Sequence, residues 1–169
     1  MLYQIAIVQH SKMLQNLSAC LDKAAAYAET KKFSPDVLLQ SRLAPDQFAL
    51  LKQIQVACDH AKAGAARLTG KEIPSHSDDE KSLADAKARI AKVVAYLQTF
   101  SASDFAGAEE RRITNPRWGS KHMLGADYAC EHLIPNFFFH TTTAYAILRH
   151  NGVDLGKGDF LGAVTLREG

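Results

Sequence analysis

Residues 135–152 have the sequence PNFFFHTTTAYAILRHNG, which predicts a helix that buries one histidine, His140. At roughly 100° per residue, one largely apolar face of this helix carries seven side chains: Leu133, Phe137, His140, Thr141, Ala144, Ile147 and Leu148. We call this face the stripe of the helix. A buried imidazole can be a metal ligand, a base or a packed hydrogen-bonding group. One turn further along the stripe lies Ala144, which can neither bind a metal nor move a proton. The run from Arg149 to Gly152 ends the helix with positive charge and residues that tolerate a left-handed turn.

Length and composition indicate one globular domain spanning residues 1–169. The chain is 47% hydrophobic and 22% charged, which is enough apolar content for a core without disulfides or metals. Its 20 Lys and Arg residues nearly balance 18 Asp and Glu residues, for a net charge of +2. No basic face is implied, so we expect no nucleic-acid partner.

Cysteine usage and the amino terminus predict a protein of the cytoplasm. The three cysteines are far apart and lack a C-x-x-C spacing: Cys20, Cys58 and Cys130. Residues 1–15, MLYQIAIVQHSKMLQ, have no basic leader, no small-residue cleavage site and polar residues within the apolar run. We therefore expect neither a signal peptide nor a membrane span.

The first helix, predicted from Leu2 to Lys32, has a wide apolar stripe. Two rows of side chains form it: Leu2, Ile5, Ala6, Met13, Leu17, Cys20, Ala24 and Ala28 in one, and Tyr3, Ile7, Leu14 and Leu21 in the other. One side of the stripe would face the bundle and the other could meet a second copy of the chain, because symmetric dimers are the commonest assembly. The pattern therefore favours a homodimer.

Two further helices precede the last one. Pro45-Asp46 predicts the start of a second helix, which runs to a stop at Gly70. Ser77 and Glu80 fit a capping box, in which each side chain bonds the other's free backbone N–H, ahead of a third helix that reaches Leu97. Apolar residues recur at helical spacing along both segments.

The helical period fails between residues 105 and 124. β-forming residues there are interrupted by Asn115-Pro116 and a glycine, which predicts a crossover with a small hairpin. The last long helix, residues 125–151, contains Pro135, which should kink or restart it. The tail after Gly152 is predicted to be an ordered loop folded back on the bundle. Four striped helices with one long connection, between the third and the fourth, predict an all-α four-helix bundle.

Three histidines are candidates for a functional site. His10, His60 and His140 lie on the first, second and fourth helices and could together hold zinc or nickel with an open position for water. A strong helical signature instead places two ligands four residues apart, and none of the three has such a mate. Core or rim histidines bonded to backbone or water are the simpler interpretation. Thr141 could add a hydroxyl to a pocket beside His140, or bond back to the preceding turn.

Four blocks of sequence span much of the chain: RLAPDQF at 42–48, ACDHAK at 57–62, ARLTGKEIP at 66–74 and the run from 135 to 162. Together they resemble a bacterial domain-of-unknown-function family grouped with the DinB/YfiT-like four-helix bundles. The resemblance implies a bundle with one long crossover, often dimeric. It also implies a superfamily whose other branches bind zinc or nickel and include thiol-dependent transferases and isomerases.

The metal-binding branches of that superfamily take one histidine from the second helix and an H-x-x-x-H pair from the fourth. The resemblance matches His60 to the first of these and His140 to the start of the pair, but Ala144 replaces the last ligand. We therefore expect a dimeric binding or structural module with a small-molecule pocket formed by His140, Thr141 and His60, and no tightly bound metal. The alternative is a zinc- or nickel-dependent enzyme of the thiol-transferase type that uses His60 and His140, with His10 as a further ligand.

Overall fold

The computed structural model describes residues 1–167 and shows the all-α fold that the sequence predicts. The helices are, in chain order, α1 His10–Lys31, α2 Leu50–Thr69, α3 Leu83–Leu97, α4 Gly125–Asp127, α5 Ile134–His150 and α6 Lys157–Leu161. The two strands are β1 Arg112–Thr114 and β2 His122–Leu124. Residues 168 and 169, the end of the predicted tail loop, lie outside the described residues. No helix within residues 1–167 is long and apolar enough to cross a membrane.

Helix α2 lies between α3 and α5, and α1 packs on both of these to complete the bundle. Buried side chains from all four helices form the main core: Leu14, Leu21, Ile54, Ile90, Leu97, Phe137 and Ile147. Full burial of each contributes about 1.5–3 kcal/mol. A second, smaller core holds the crossover against the bundle: Leu2, Leu68, Ile113, Tyr128 and Leu133.

The first helix begins with a π-helical segment, Gln4–Gln9, that runs directly into α1. Its wide apolar stripe is partly covered within the chain, because α6 packs against α1. Asn16 Nδ2 donates to the carbonyl of Phe160 at 2.9 Å, and Lys23 pairs with Asp159 at 2.8 Å. The predicted tail loop therefore contains a short helix that occupies part of the surface on which the dimer prediction was based.

The predicted start of the second helix is wrong by five residues. Helix α2 begins at Leu50 rather than Pro45. Pro45 instead lies in a turn in which the N–H of Gln47 donates to the carbonyl of Ala44 at 3.1 Å. Ala49 stays extended ahead of the helix. A proline that pre-sets its own φ suits a turn as well as a first helical position, so the local signal was ambiguous.

The predicted capping box of the third helix is also wrong: it is formed by Ser82 with Asp85, not by Ser77 with Glu80. Ser82 Oγ accepts from the N–H of Asp85 at 3.1 Å, and Asp85 Oδ2 accepts from the N–H of Ser82 at 3.0 Å. Glu80 is taken by a tertiary partner, because Arg89 Nη1 donates to its Oε1 at 2.8 Å. The sequence contains two serine–acid pairs at capping-box spacing, five residues apart. Only the second pair caps α3, because the acid of the first is paired with Arg89.

The predicted hairpin is present in the crossover. Strands β1 and β2 are antiparallel with Ile113 opposite Met123, and the 3₁₀ turn Pro116–Trp118 lies between them. A second π-helical segment, Tyr128–Leu133, joins α4 to α5, and Pro135 follows in the first turn of α5. Since proline lacks an N–H for the preceding turn, the helical register changes just before it, in line with the predicted kink or restart.

Candidate ligand-binding site

One wall of the candidate site is a line of polar side chains along α2. Gln53, His60 and Arg67 are separated by seven residues each, which places them on one face of a helix. That helix packs closely against α5. Gln53 is fully buried, whereas His60 and Arg67 are partly exposed. The line therefore runs from the bundle interior toward the surface.

The opposite wall comes from α5 and the π-helical segment before it. His132, Asn136 and His140 follow one another at four-residue intervals, so they share a face. The His60 ring lies 5.6 Å from the His132 ring and 5.6 Å from the His140 ring, measured between centroids. The rings of His60 and His140 are nearly parallel, with an interplanar angle of 14°. Three imidazoles thus meet across the α2–α5 interface.

A hydrogen bond between α2 and α5 sets the tautomer of His140. Gln53 Nε2 donates to the carbonyl of Phe48 at 3.1 Å, which turns Gln53 Oε1 toward His140. This oxygen lies 2.7 Å from His140 Nδ1 and can only accept. The neutral ring therefore carries its proton on Nδ1 and keeps Nε2 as an acceptor.

A cavity of about 500 Å³ lies between these walls and the hairpin. The hairpin contributes Asn115, Arg117 and Trp118 to its lining. Asn115 Oδ1 accepts from the N–H of Arg117 at 3.0 Å and so holds the turn that presents both neighbours. Phe48, 53% exposed, adds a second aromatic surface. The cavity is of a size for a small organic molecule.

Aromatic packing holds His132 in place. Its ring stacks on Tyr128 with centroids 5.3 Å apart, and the edge of Trp118 meets it at 5.2 Å. Trp118 also contacts Tyr128 at 6.2 Å. Such pairs contribute about 0.5–1.5 kcal/mol each beyond their buried area. The hairpin is thereby tied to the π-helical segment beside the cavity.

The histidines of the cavity are neutral at neutral pH. Burial, followed by repulsion from His140 and His132, lowers the pKa of His60 to about 4. Burial also lowers the pKa of His140. At His132 burial and then the nearby positive charge of Arg67 lower the pKa. The rings therefore offer hydrogen-bonding nitrogens without adding charge.

Two of the charged side chains that line the cavity are already neutralised. Asp59 Oδ1 lies 3.0 Å from Lys62 Nζ and 2.9 Å from Arg89 Nη2. Lys52 Nζ lies 2.6 Å from Asp78 Oδ2. Asp59 and Lys52 therefore add little net charge to the cavity.

The two guanidinium groups of the cavity are not neutralised in this way. Within the described part of the chain, neither Arg67 nor Arg117 has a carboxylate at ion-pair distance. Arg67 Nη1 donates a long hydrogen bond, 3.4 Å, to the hydroxyl of Tyr128. The cavity therefore has an excess of positive charge, carried by Arg67 and Arg117.

His10, the third predicted ligand, is buried in the core behind the cavity. Its ring packs on Phe137 with centroids 4.0 Å apart and is fully shielded from solvent. Burial, and then repulsion from His60, lower the pKa of His10 to about 3, which the nearby carbonyl of Ala6 partly opposes. That carbonyl does not reach hydrogen-bond geometry, and both ring nitrogens of His10 lack a partner. His10 therefore does not line the cavity with His60 and His140.

The structure places the other sequence-predicted residues as follows. His60 and His140 lie on facing walls of the cavity, but Thr141 does not line it. The Thr141 hydroxyl instead donates to the carbonyl of Phe137 at 3.0 Å, the back-bond that its helical position made possible. The main residue missed by the sequence analysis is His132. It lies two turns upstream of His140, whereas the usual helical metal pair has its second ligand one turn downstream.

The side chains of this region do not fit the zinc or nickel site known from other branches of the fold. Within residues 1–167, no three His, Cys, Asp or Glu side chains are grouped so that they could hold a metal ion. His10, the further ligand that the sequence suggested, packs on Phe137 and does not line the cavity. The groups that line the cavity can provide hydrogen bonds, aromatic contacts and charge pairing.

Comparison with known proteins gives a family and a structural relative. The model of a family described as "Domain of unknown function (DUF1993)" matches residues 2–161. A crystal structure of a DinB family member protein from Shewanella denitrificans is 55% identical to this chain, and the match covers 100% of this chain and 96% of that one. The two structures superpose with a TM-score of 0.97. No curated protein matches.

Proposed function

Since the chain belongs to the DUF1993 family and has the fold of a DinB family member, we propose that it is a binding module for a small organic molecule. The binding site is the cavity between α2, α5 and the hairpin. The observation that carries the proposal is the meeting of His60, His132 and His140 at this cavity. Polar groups converging in a semi-apolar cavity are typical of ligand sites.

The arrangement of His140 supports the binding of a hydrogen-bond donor. Its Nδ1 is held by Gln53, so Nε2 has a fixed direction and a fixed acceptor role. A ligand hydroxyl or amide can donate to it. Among residues 1–167, no serine, threonine or cysteine lines the cavity beside it. The Thr141 hydroxyl is bonded to the Phe137 carbonyl, and Cys58 is buried in the core. Burial raises the pKa of Cys58 to about 12, which keeps its thiol protonated.

We further propose that no zinc or nickel is tightly held. Metal analysis of the purified protein, before and after incubation with each metal and desalting, is expected to give well below one ion per chain. This expectation follows from the absence of a three-ligand group among residues 1–167. About one ion per chain, lost on His140→Ala, would overturn it and favour a metal-dependent enzyme.

Binding can be followed through Trp118, which is the chain's one tryptophan and lines the cavity. The probes are benzyl alcohol, benzoate and benzamidine, three aromatic molecules that differ in charge. At least one is expected to change the Trp118 emission saturably at millimolar concentration. His140→Leu should weaken that binding by about tenfold through loss of one oriented hydrogen bond. His150→Leu, on the exposed end of the same helix, is the matched control and should bind as the wild type does.

The proposal fails if none of the three probes produces a saturable change. It also fails if His150→Leu weakens binding as much as His140→Leu, since the effect would then not come from the cavity.

A further inference from the structure

The charges of the cavity specify its ligand further. Resting on the proposed function, we infer that the ligand is an organic oxyanion, a carboxylate or a phosphate monoester, bound by Arg67 and Arg117. Both guanidinium groups line the cavity, and guanidinium forms paired hydrogen bonds with the oxygens of either anion.

The inference depends first on a charge imbalance at the cavity. Its one carboxylate, Asp59, is held by Lys62 and Arg89, and its one ammonium, Lys52, is held by Asp78. The cationic excess therefore comes entirely from the two arginines. A ligand of opposite charge would compensate both groups at once, whereas a cationic ligand would add repulsion.

The setting of Arg67 provides a second, independent observation. This arginine is half-buried on α2, and its one hydrogen bond to a described side chain is the long contact with Tyr128. Partial burial raises the free-energy cost of an unpaired charge, so a half-buried guanidinium group gains from a partner of opposite charge. The ion pairs formed elsewhere in this protein show the contrast, since Arg89 is 2% exposed and contacts three carboxylates. Arg67 thus has unused donors directed to a place that a ligand can reach.

The neutral histidines of the cavity could hydrogen-bond an anionic ligand, and its charge would in turn favour their protonation. Burial is the main cause of the lowered pKa of His60 and of His132, and the positive charge of Arg67 adds a smaller lowering to both. An anion between Arg67 and these rings would offset that repulsion, so its binding is coupled to proton uptake. Asp59 and Arg117 also line the cavity near these rings, and Asp59 has the opposite, weaker effect on His60.

The body that carries the anion is expected to be flat and apolar. Trp118 and His132 form an edge-to-face pair, and Phe48 is 53% exposed at the same cavity. Exposed aromatic surface beside a polar pocket is typically covered by a ligand. The probes for the test are therefore aromatic rings that differ in one substituent.

The test compares benzoate, phenyl phosphate, benzyl alcohol and benzamidine by Trp118 emission and isothermal titration calorimetry of the full chain. One of the two oxyanions is expected to bind at least tenfold more tightly than benzyl alcohol, and benzamidine more weakly still. Benzoate binding more tightly than phenyl phosphate identifies a carboxylate ligand, and the reverse order identifies a phosphate monoester. Both results support the inference.

Arg117→Gln should weaken binding of the preferred oxyanion by about tenfold and leave benzyl alcohol unchanged. Arg117 is exposed and its side chain has no partner among residues 1–167, so its removal should not affect folding. Arg112→Gln is the matched control, because it changes the net charge by the same amount. Arg112 is exposed on the same hairpin and does not line the cavity.

The outcomes separate this inference from the function on which it rests. If benzyl alcohol or benzamidine binds as well as both oxyanions, the charge assignment is wrong and the binding function remains. If Arg112→Gln weakens oxyanion binding as much as Arg117→Gln, the loss comes from the net charge of the protein rather than from the cavity, and the inference is overturned. If no probe binds, the proposed function fails.

Discussion

At the residue scale, His10 is the side chain whose burial has the clearest consequence. Both its nitrogens lack partners, and its folded-state pKa is lowered to about 3. In the unfolded chain a histidine has a pKa of about 6.5. As the pH falls below 6.5, His10 becomes protonated in the unfolded state but stays neutral in the folded state. The stability associated with neutral His10 is therefore complete above pH 6.5 and declines as the pH falls toward the folded pKa.

We expect His10→Leu to reduce this pH dependence. Between pH 7.5 and pH 5, the wild type should lose about 2 kcal/mol of unfolding free energy through His10 alone, in addition to the loss through His60. In His10→Leu the first part of the loss should disappear, as measured by urea unfolding at the two pH values. His10→Gln keeps a buried polar group that cannot titrate. It should also lose the His10 part of the pH dependence, but it should be less stable than His10→Leu at pH 7.5. Equal pH dependence in the wild type and His10→Leu would contradict the assignment.

The histidines also show how far single residues can be predicted from sequence. The inward position of His140 followed from the helical period alone, because its stripe mates are all apolar or small. The role of Gln53 could not be predicted, since the residue that meets it lies 87 positions away. His132 was missed for a related reason. It lies two turns before His140, and its contact with the His60 ring depends on how the two helices pack together.

At the element scale, α4 approaches the crossover so closely that only glycine fits at its first residue. A Cβ on Gly125 would lie 1.8 Å from the carbonyl oxygen of Ala108. That atom belongs to the backbone and cannot rotate away. The next residue, Ala126, donates its N–H to the carbonyl of Glu109 at 3.0 Å, so the contact fixes where the last helical segment begins.

Gly125→Ala is therefore expected to lower the unfolding free energy by roughly 1–3 kcal/mol, even though alanine is the better helix former. Gly158→Ala is the matched control, because a Cβ there meets nothing within 4 Å. That substitution should be neutral or slightly stabilising. The measurement is the urea unfolding midpoint of each variant. A Gly125→Ala variant as stable as Gly158→Ala would show that the crossover adjusts without cost.

Element boundaries were predictable where the signal is local and failed where a distant group decides. Gly70 ends α2 as predicted, in a left-handed conformation with φ of 76° that glycine adopts freely. The start of α3 was misplaced, because Glu80 bonds Arg89 instead of capping the helix. Ser82 and Asp85, which form the actual cap, have the same local spacing, so the contact of Glu80 with Arg89 was needed to choose between the two pairs.

At the scale of the whole molecule, the bundle follows from four apolar stripes and one long connection. The cavity does not follow from them, because it requires the register between α2 and α5 and the placement of the hairpin. The sequence shows the two lines of polar residues that form the walls only once one knows that α2 and α5 pack together. These lines are residues 53, 60 and 67 and residues 132, 136 and 140. Trp118 comes to this place only through the fold of the crossover.

The predicted homodimer remains a proposal, and the structure suggests which surface it would use. Helix α6 covers part of α1, but Val8 at the start of the first helix is 45% exposed and Phe139 on α5 is 56% exposed. Helices α1 and α5 pack side by side, as the contact of His10 with Phe137 shows. We propose that Val8 and Phe139 lie in the dimer interface, where a partner would shield their side chains from water. A symmetric interface would bury each of them twice.

Light scattering at micromolar concentration is therefore expected to give twice the mass of the 18.5 kDa chain. Phe139→Lys should shift the protein to the monomer, because it places two charges in the interface where two rings were buried. Leu166→Lys is the matched control, since Leu166 is 85% exposed in the tail and its replacement should leave the dimer intact. A wild-type monomer would refute the dimer outright. Phe139 also forms an edge-to-face pair with His140, with centroids 5.1 Å apart, so a dimer through this face would lie next to the proposed ligand site.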